Sequence, residues 1–256
     1  KEVEKVATIR KRYELKAKDR GQVKTFGRIE MVNQATCAEL YLYGDIVDDE
    51  LTAAWFGGNY PQEIADFVAG LSPNQPLTIY FNSPGGDVFA GLAIYNVLKR
   101  HQGRKTGKVD GMAASIASVI LMACDERVVN TGAQVMIHDP WTRATGNARQ
   151  LREVAGQLDE ARDSILDVYM TATAEGVTRE EIAALMEAET WMRGEKAAQW
   201  FVLTAVDAPA AAAAASDLFG SYKNLPDELK QSAKEAANRK KRENDLLNDL
   251  YLYGTK

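Results

Sequence analysis

A chain of 256 residues, 46% hydrophobic and 26% charged, has the size and make-up of one large globular domain with appended ends, because a single core stops growing at roughly 250–300 residues. Its net charge of -5 argues against a general nucleic-acid binder, which needs a concentrated basic surface to neutralise phosphates. Cys37 and Cys124 stand at no metal-ligand spacing, which argues against a disulfide scaffold or zinc site and for a reduced, cytoplasmic setting.

The opening segment, Lys1–Arg20, is charged and weakly periodic and lacks the apolar stretch of a secretion signal. The longest apolar run, Val119–Cys124, is too short to span a bilayer, so no membrane partner is expected. Residues 26–32 and 38–44 alternate apolar and polar, the mark of half-buried strands. A helix pattern over Pro61–Leu71 leads to a strand, Leu77–Asn82, broken by Ser83-Pro84-Gly85-Gly86, and then to a helix over Phe89–Arg100.

A second such unit follows: a strand around Lys108–Gly111, small residues over Ala113–Ser118, an apolar helix to Cys124, and a strand over Glu126–Asn130. Alternating strands and helices predict an α/β fold. After Val135-Met136-Ile137-His138 comes a long amphipathic helix, about Asn147–Thr173, with Leu151, Val154, Leu158, Ile165 and Tyr169 near one face. Thr178 with Glu181 three residues on predicts a capped helix to about Glu189. The Ala210–Ala215 run is of low complexity, and Asp227–Asn248 reads as a solvated helix or tail.

Only two histidines can supply an imidazole base. His101, within Lys99-Arg-His-Gln-Gly-Arg-Lys, reads as a surface residue closing a helix. His138 closes an apolar strand, where α/β folds place their sites. Ser115, in Gly111-Met-Ala-Ala-Ser-Ile-Ala-Ser118, sits at a strand-to-helix transition that can expose a hydroxyl; tight helix packing explains the small residues equally well. Ser118, one turn later, should point to the packed face. Gly85 and Gly86 permit a turn with bare N–H groups, which an oxyanion hole requires, although an isolated Pro-Gly-Gly is only a turn.

Taken together, these segments resemble the ClpP family of serine peptidases. Asn82-Ser-Pro-Gly-Gly-Asp-Val-Phe-Ala-Gly-Leu-Ala-Ile-Tyr95 looks like the family's glycine turn and following helix, Gly111–Ser118 like its nucleophile motif, and Val135-Met-Ile-His-Asp-Pro140 like its histidine motif, in the same order and at similar spacing. The resemblance covers about residues 38–207. It implies the spiral of ββα units shared with crotonases and a protruding handle helix. It also implies Ser115 as nucleophile, His138 as base, and Gly86 and Ile116 N–H groups as oxyanion donors, with Gly85 shaping the turn.

Glu189, in Glu189-Thr-Trp-Met192, takes the place of the family's third residue, an aspartate; Asp139 and Asp163 are its rivals. The wording around Asp87, Trp141 and Trp191 most resembles the phage and prophage head maturation proteases, which implies cleavage of capsid or scaffold protein.

The resemblance divides the chain into an N-terminal extension with leading strands (1–37), a peptidase domain (38–208), and a linker with a charged helical tail (209–256). It implies a homo-oligomeric ring, a heptamer or stacked heptamers, acting on protein or peptide substrates without cofactor or metal; the sequence does not specify an ATPase unfoldase. Two other readings compete: a crotonase-like acyl-CoA enzyme, against which the Ser115 and His138 motifs count, and a ring-forming assembly factor without turnover, which the glutamate at 189 favours.

Overall fold

A computed structural model describes residues 9–19, 22–33, 37–56, 58–209 and 216–230. The Ala210–Ala215 run and the charged segment beyond Lys230 lie outside them. The fold is α/β, a mixed sheet flanked by helices.

Strand β1 (Ile9–Asp19) pairs antiparallel with β2 (Gln22–Asn33), and β2 with β3 (Ala38–Tyr43). Residues 9–19 of the weakly periodic opening segment thus form a strand. Its signal lay in the apolar residues Ile9, Tyr13, Leu15 and Ala17, all at odd positions among charged neighbours, and a paired partner supplies the hydrogen bonds that such a sequence cannot secure alone. From β3 the pairing turns parallel, through β4 (Leu77–Ser83), β5 (Lys105–Ala114), β6 (Glu126–Thr131) and β9 (Thr204–Pro209).

Strand β5 is longer than its sequence suggested and absorbs Ala113 and Ala114. Its first half, Thr106–Val109, pairs with β6; its last residues, Met112–Ala114, pair with β7 (Gln134–Ile137) instead. Strand β8 (Thr190–Arg193) adds antiparallel to β7.

Helices pack the sheet where their apolar faces demand it. Helix α1 (Glu50–Phe56) and α2 (Pro61–Ala69) follow β3; α2 begins on the predicted Pro61, whose missing N–H costs nothing at a first helical position. Helix α3 (Val88–Arg100) is capped by the Asp87 side chain, which accepts from the Ala90 N–H, and buries Ile94, Tyr95 and Leu98. It lies against α4 (Ile116–Leu121), buried throughout. A Cβ on Gly91 would come 2.1 Å from Ile116 Cγ1, so the missing side chain lets the two helices close.

The long helix is α5 (Ala148–Met170), with the full capping box of Asn147 and Gln150; α6 (Arg179–Glu187) carries the expected Thr178–Glu181 box. Of the five apolar residues expected on one face of α5, Ile165 and Tyr169 are buried, whereas Leu151 is 43% exposed. Every buried residue of α5 lies at or after Ala161, so its first half projects without cover from the described residues. Short helix α7 (Gly194–Ala197) leads to β9.

His101 departs from expectation. It caps α3 as predicted, but it is 7% exposed rather than on the surface, and its Nε2 lies 2.7 Å from the Gln75 carbonyl. Buried Lys105 donates to the carbonyls of His101 and Gly103, 3.0 Å each, so these alternate residues of the polar run turn inward because their groups satisfy one another, while Lys99, Arg100, Gln102 and Arg104 stay exposed. No helix among the described residues is long and apolar enough to cross a membrane.

Candidate active site

Three neighbouring parallel strands end at one level and carry the site. In the register, Ser83 of β4 faces Ala113 of β5, and Ala114 of β5 faces Met136 of β7. The residues that follow, the Pro84–Gly86 turn, Ser115 and His138, are therefore brought together by sheet pairing rather than by loop conformation. This is the carboxyl edge where open α/β sheets place ligands, at the point where β5 changes partner.

Ser115 joins β5 to α4 with φ 54° and ψ -131°, a backbone shape that costs a side-chain-bearing residue about 1–3 kcal/mol and clusters at functional sites. Its N–H donates to Met136 O at 2.9 Å, which holds the turn. Its Oγ stands 2.7 Å from His138 Nε2. Burial holds the His138 imidazole below the ordinary histidine value, with Lys223 pushing the same way and the Glu189 and Asp139 charges opposing. At neutral pH the ring is therefore neutral, the state in which Nε2 can accept the serine proton.

Gly85 has φ +100° and Gly86 φ +150°. A Cβ on Gly85 would sit 2.7 Å from Ser115 Cβ, and one on Gly86 would sit 1.9 Å from Ile46 O. Only glycine allows the turn to press between the Ser115 elbow and the Ile46 backbone. Ile46 N–H donates to Gly85 O and Asp87 N–H to Ile46 O. Among the described residues no acceptor takes the N–H of Gly86 or of Ile116, so two bare donors flank the serine, as an oxyanion requires.

Glu189 follows α6 with φ 48° and is 6% exposed, so its carboxylate is no surface group. It is near enough to His138 to raise that ring's affinity for a proton, yet among the described residues no hydrogen bond joins the two. Its Oε1 instead accepts from the Asn224 N–H at 2.6 Å. The rival acids are otherwise engaged: Asp139 Oδ1 accepts from Arg162 Nε at 2.7 Å, and exposed Asp163 pairs with Arg179.

Ser118 points to the packed face as expected. Its Oγ lies 2.6 Å from Ser115 O, 3.0 Å from Met136 O and 2.7 Å from Tyr169 Oη, and the tyrosine is buried. Ser118→Ala leaves a buried phenol without its partner, so we expect a loss of about 1–3 kcal/mol, read as a lower midpoint in calorimetry or denaturant unfolding. Burial pushes the Cys124 thiol up to about 12, which keeps it protonated and removes it as a nucleophile.

A family model described as Clp protease matches residues 63–206, a span holding Gly85, Gly86, Ser115, Ile116, His138 and Glu189. The chain belongs to the Clp protease family. That family consists of serine peptidases. Proteolytic subunit 1 of the ATP-dependent Clp protease of Chlamydia abortus is 34% identical over 139 residues, covering 53% of this chain and 71% of that protein. Its counterpart in Chlamydia muridarum is similar to the same extent, 34% over 139 residues. The proteolytic subunit of Deinococcus radiodurans is 32% identical over 137 residues, 53% of this chain and 66% of that protein.

Two residues against the site escaped the sequence reading, Tyr222 and Asn224, both beyond the matched span. The only signal was aromatic and turn-forming residues in Phe219-Gly-Ser-Tyr-Lys-Asn-Leu-Pro226, set within an otherwise charged C-terminal region.

Proposed function

We propose that the chain is a serine endopeptidase acting by acyl transfer, with Ser115 as nucleophile and His138 as general base. The observation that carries this reading is the 2.7 Å contact of Ser115 Oγ with His138 Nε2, at a strained elbow facing two unpaired amides. His138 Nε2 takes the hydroxyl proton as Oγ bonds to the scissile carbonyl carbon; the carbonyl oxygen becomes an oxyanion held by the Gly86 and Ile116 N–H groups. Collapse breaks the C–N bond, and His138 returns its proton to the leaving amine. Water, deprotonated by the same ring, then hydrolyses the acyl-serine.

Glu189 acts on the ring through its charge, favouring the imidazolium that forms during attack. Glu189→Gln removes the charge that raises the His138 proton affinity. The acid limb of the pH–rate profile should then move to lower pH while the plateau falls about 10- to 100-fold, as measured by kcat/KM between pH 5 and 8.

The natural substrate we propose is a phage capsid or scaffold protein, cleaved during prohead assembly; the support is the likeness around Asp87, Trp141 and Trp191. The uncovered first half of α5 supports a ring in which this helix meets a second copy, a heptamer or two stacked heptamers inside the host cytoplasm. The test is co-expression with the capsid protein, followed by mass spectrometry of its termini and native mass of the protease. Defined capsid cleavage that requires Ser115 supports the reading; intact capsid protein in the presence of an active ring removes that substrate.

One observation favours a second reading, a ring-forming assembly factor without turnover: among the described residues no carboxylate is hydrogen-bonded to the imidazole. A ring that neither hydrolyses fluorogenic peptides nor reacts with a fluorophosphonate would establish it.

A further inference from the structure

The segment Ser216–Lys230 lies outside the span matched to the family, yet it folds back onto the site. Phe219, Tyr222 and Leu229 are buried in a cluster with Met112, Ala114 and Met136, the strand residues that immediately precede Ser115 and the end of β7. Tyr222 stands edge-on to His138, ring centres 5.4 Å apart at 85°. Its hydroxyl donates to Pro84 O, the carbonyl that opens the glycine turn, and lies near the Ser115 hydroxyl.

Two residues on, Asn224 donates its N–H to Glu189 Oε1 at 2.6 Å and its amide Nδ2 to Ala188 O at 2.7 Å. The segment is fastened further by Arg193 with Glu228, 2.7 Å apart. It therefore touches the glycine turn, the imidazole and the strained acid, while Ser115 and His138 both keep partial solvent exposure.

Resting on the peptidase reading above, we propose that Tyr222 is a positioning residue for the reaction: its hydroxyl clamps the Pro84 carbonyl so that the next turn residues hold the Gly86 N–H toward the oxyanion, and its ring fixes the plane of His138. A plain packing role would need only the ring. Two features argue for more: the hydroxyl donates to the carbonyl that opens the turn, on the side away from Ile46, and burial makes the phenol hold its proton, so it stays a donor across the working pH range. A lid would shut the serine away, whereas here the serine stays within reach of solvent.

The test compares full-length wild type with Tyr222→Phe and Tyr222→Ala. Deuterium uptake by the peptide spanning Ser83–Asp87 should quicken about fivefold in Tyr222→Phe, the size of one lost hydrogen bond. The same variant should lose a similar factor in fluorophosphonate acylation and in kcat with KM nearly unchanged, and should unfold slightly earlier because the buried Pro84 carbonyl loses its donor. Tyr222→Ala should in addition raise the His138 midpoint, read from the imidazole proton resonances, because the ring's burial is relieved.

Unchanged uptake at the turn in Tyr222→Phe overturns the clamp. So does faster acylation in either variant, which would make the segment an inhibitory lid. Should wild-type Ser115 fail to acylate at all, the peptidase reading falls by itself, and deuterium uptake decides the clamp independently.

Discussion

Ser115→Ala should abolish covalent capture by a fluorophosphonate and cut peptide hydrolysis by about four to six orders of magnitude. His138→Ala should do nearly as much alone, and the double variant little more, because hydroxyl and imidazole act as one unit: without the base, Oγ keeps its proton at neutral pH, and without Oγ there is no atom to acylate. The residual rate in each should reflect the amides of Gly86 and Ile116. Both variants should retain the wild-type stability within about 1 kcal/mol, since neither side chain belongs to the buried core and removing Ser115 Oγ leaves its backbone bond to Met136 in place. Hydrolysis persisting in purified Ser115→Ala at more than about a hundredth of wild type would assign the reaction to another group.

The second large effect is expected at Gly86. A methyl group there would meet Ile46 O at 1.9 Å, and Ile46 cannot retreat, because it is bonded on one side to Gly85 O and on the other to the Asp87 N–H. Overpacking of this kind costs about 1–3 kcal/mol and the positive φ about as much again, so Gly86→Ala should unfold several degrees earlier and lose activity with its fold. Gly85→Ala strikes a different target. Its methyl would press on Ser115 Cβ at 2.7 Å and on Ala114 O at 2.8 Å, at a φ of +100°, so it should lose stability as Gly86→Ala does and, in whatever fraction stays folded, acylate slowly because the nucleophile is displaced. Denaturant midpoints set beside acylation rates of the folded fraction test both; a Gly85→Ala variant that acylates at the wild-type rate would refute the displacement.

Much of this centre was legible in the chain because its parts are local. Ser83-Pro-Gly-Gly, the small residues around Ser115 and the apolar strand ending in His138 each announce a strand running into a turn, and the parallel pairing of those strands does the rest. What was illegible depends on distance. His101 looks exposed in a run of Lys, Arg and Gln, and only the folded chain shows that Gln75 and Lys105 bond to it from inside.

Glu189 shows the same limit: the likeness to the family pointed to it as the acid behind the imidazole, but its bond to Asn224 is a contact across 35 residues. Tyr222 was hidden more completely, since its bond to Pro84 spans 138 residues and its own neighbourhood carries no periodic pattern. Strand β1 was missed for another reason: alternation among abundant lysine and arginine is a weak signal until a partner strand exists.

The switch of β5 from β6 to β7 has a consequence for heat inactivation. A reaction centre hung on loops can fall silent while the rest of the molecule stays intact. Here the elbow and the strand behind the base are adjacent rungs of one dry ladder, with Met112, Ala114 and Met136 wholly enclosed, so warming cannot part them without parting the domain. Parting of the elbow from the base should therefore coincide with loss of the folded domain.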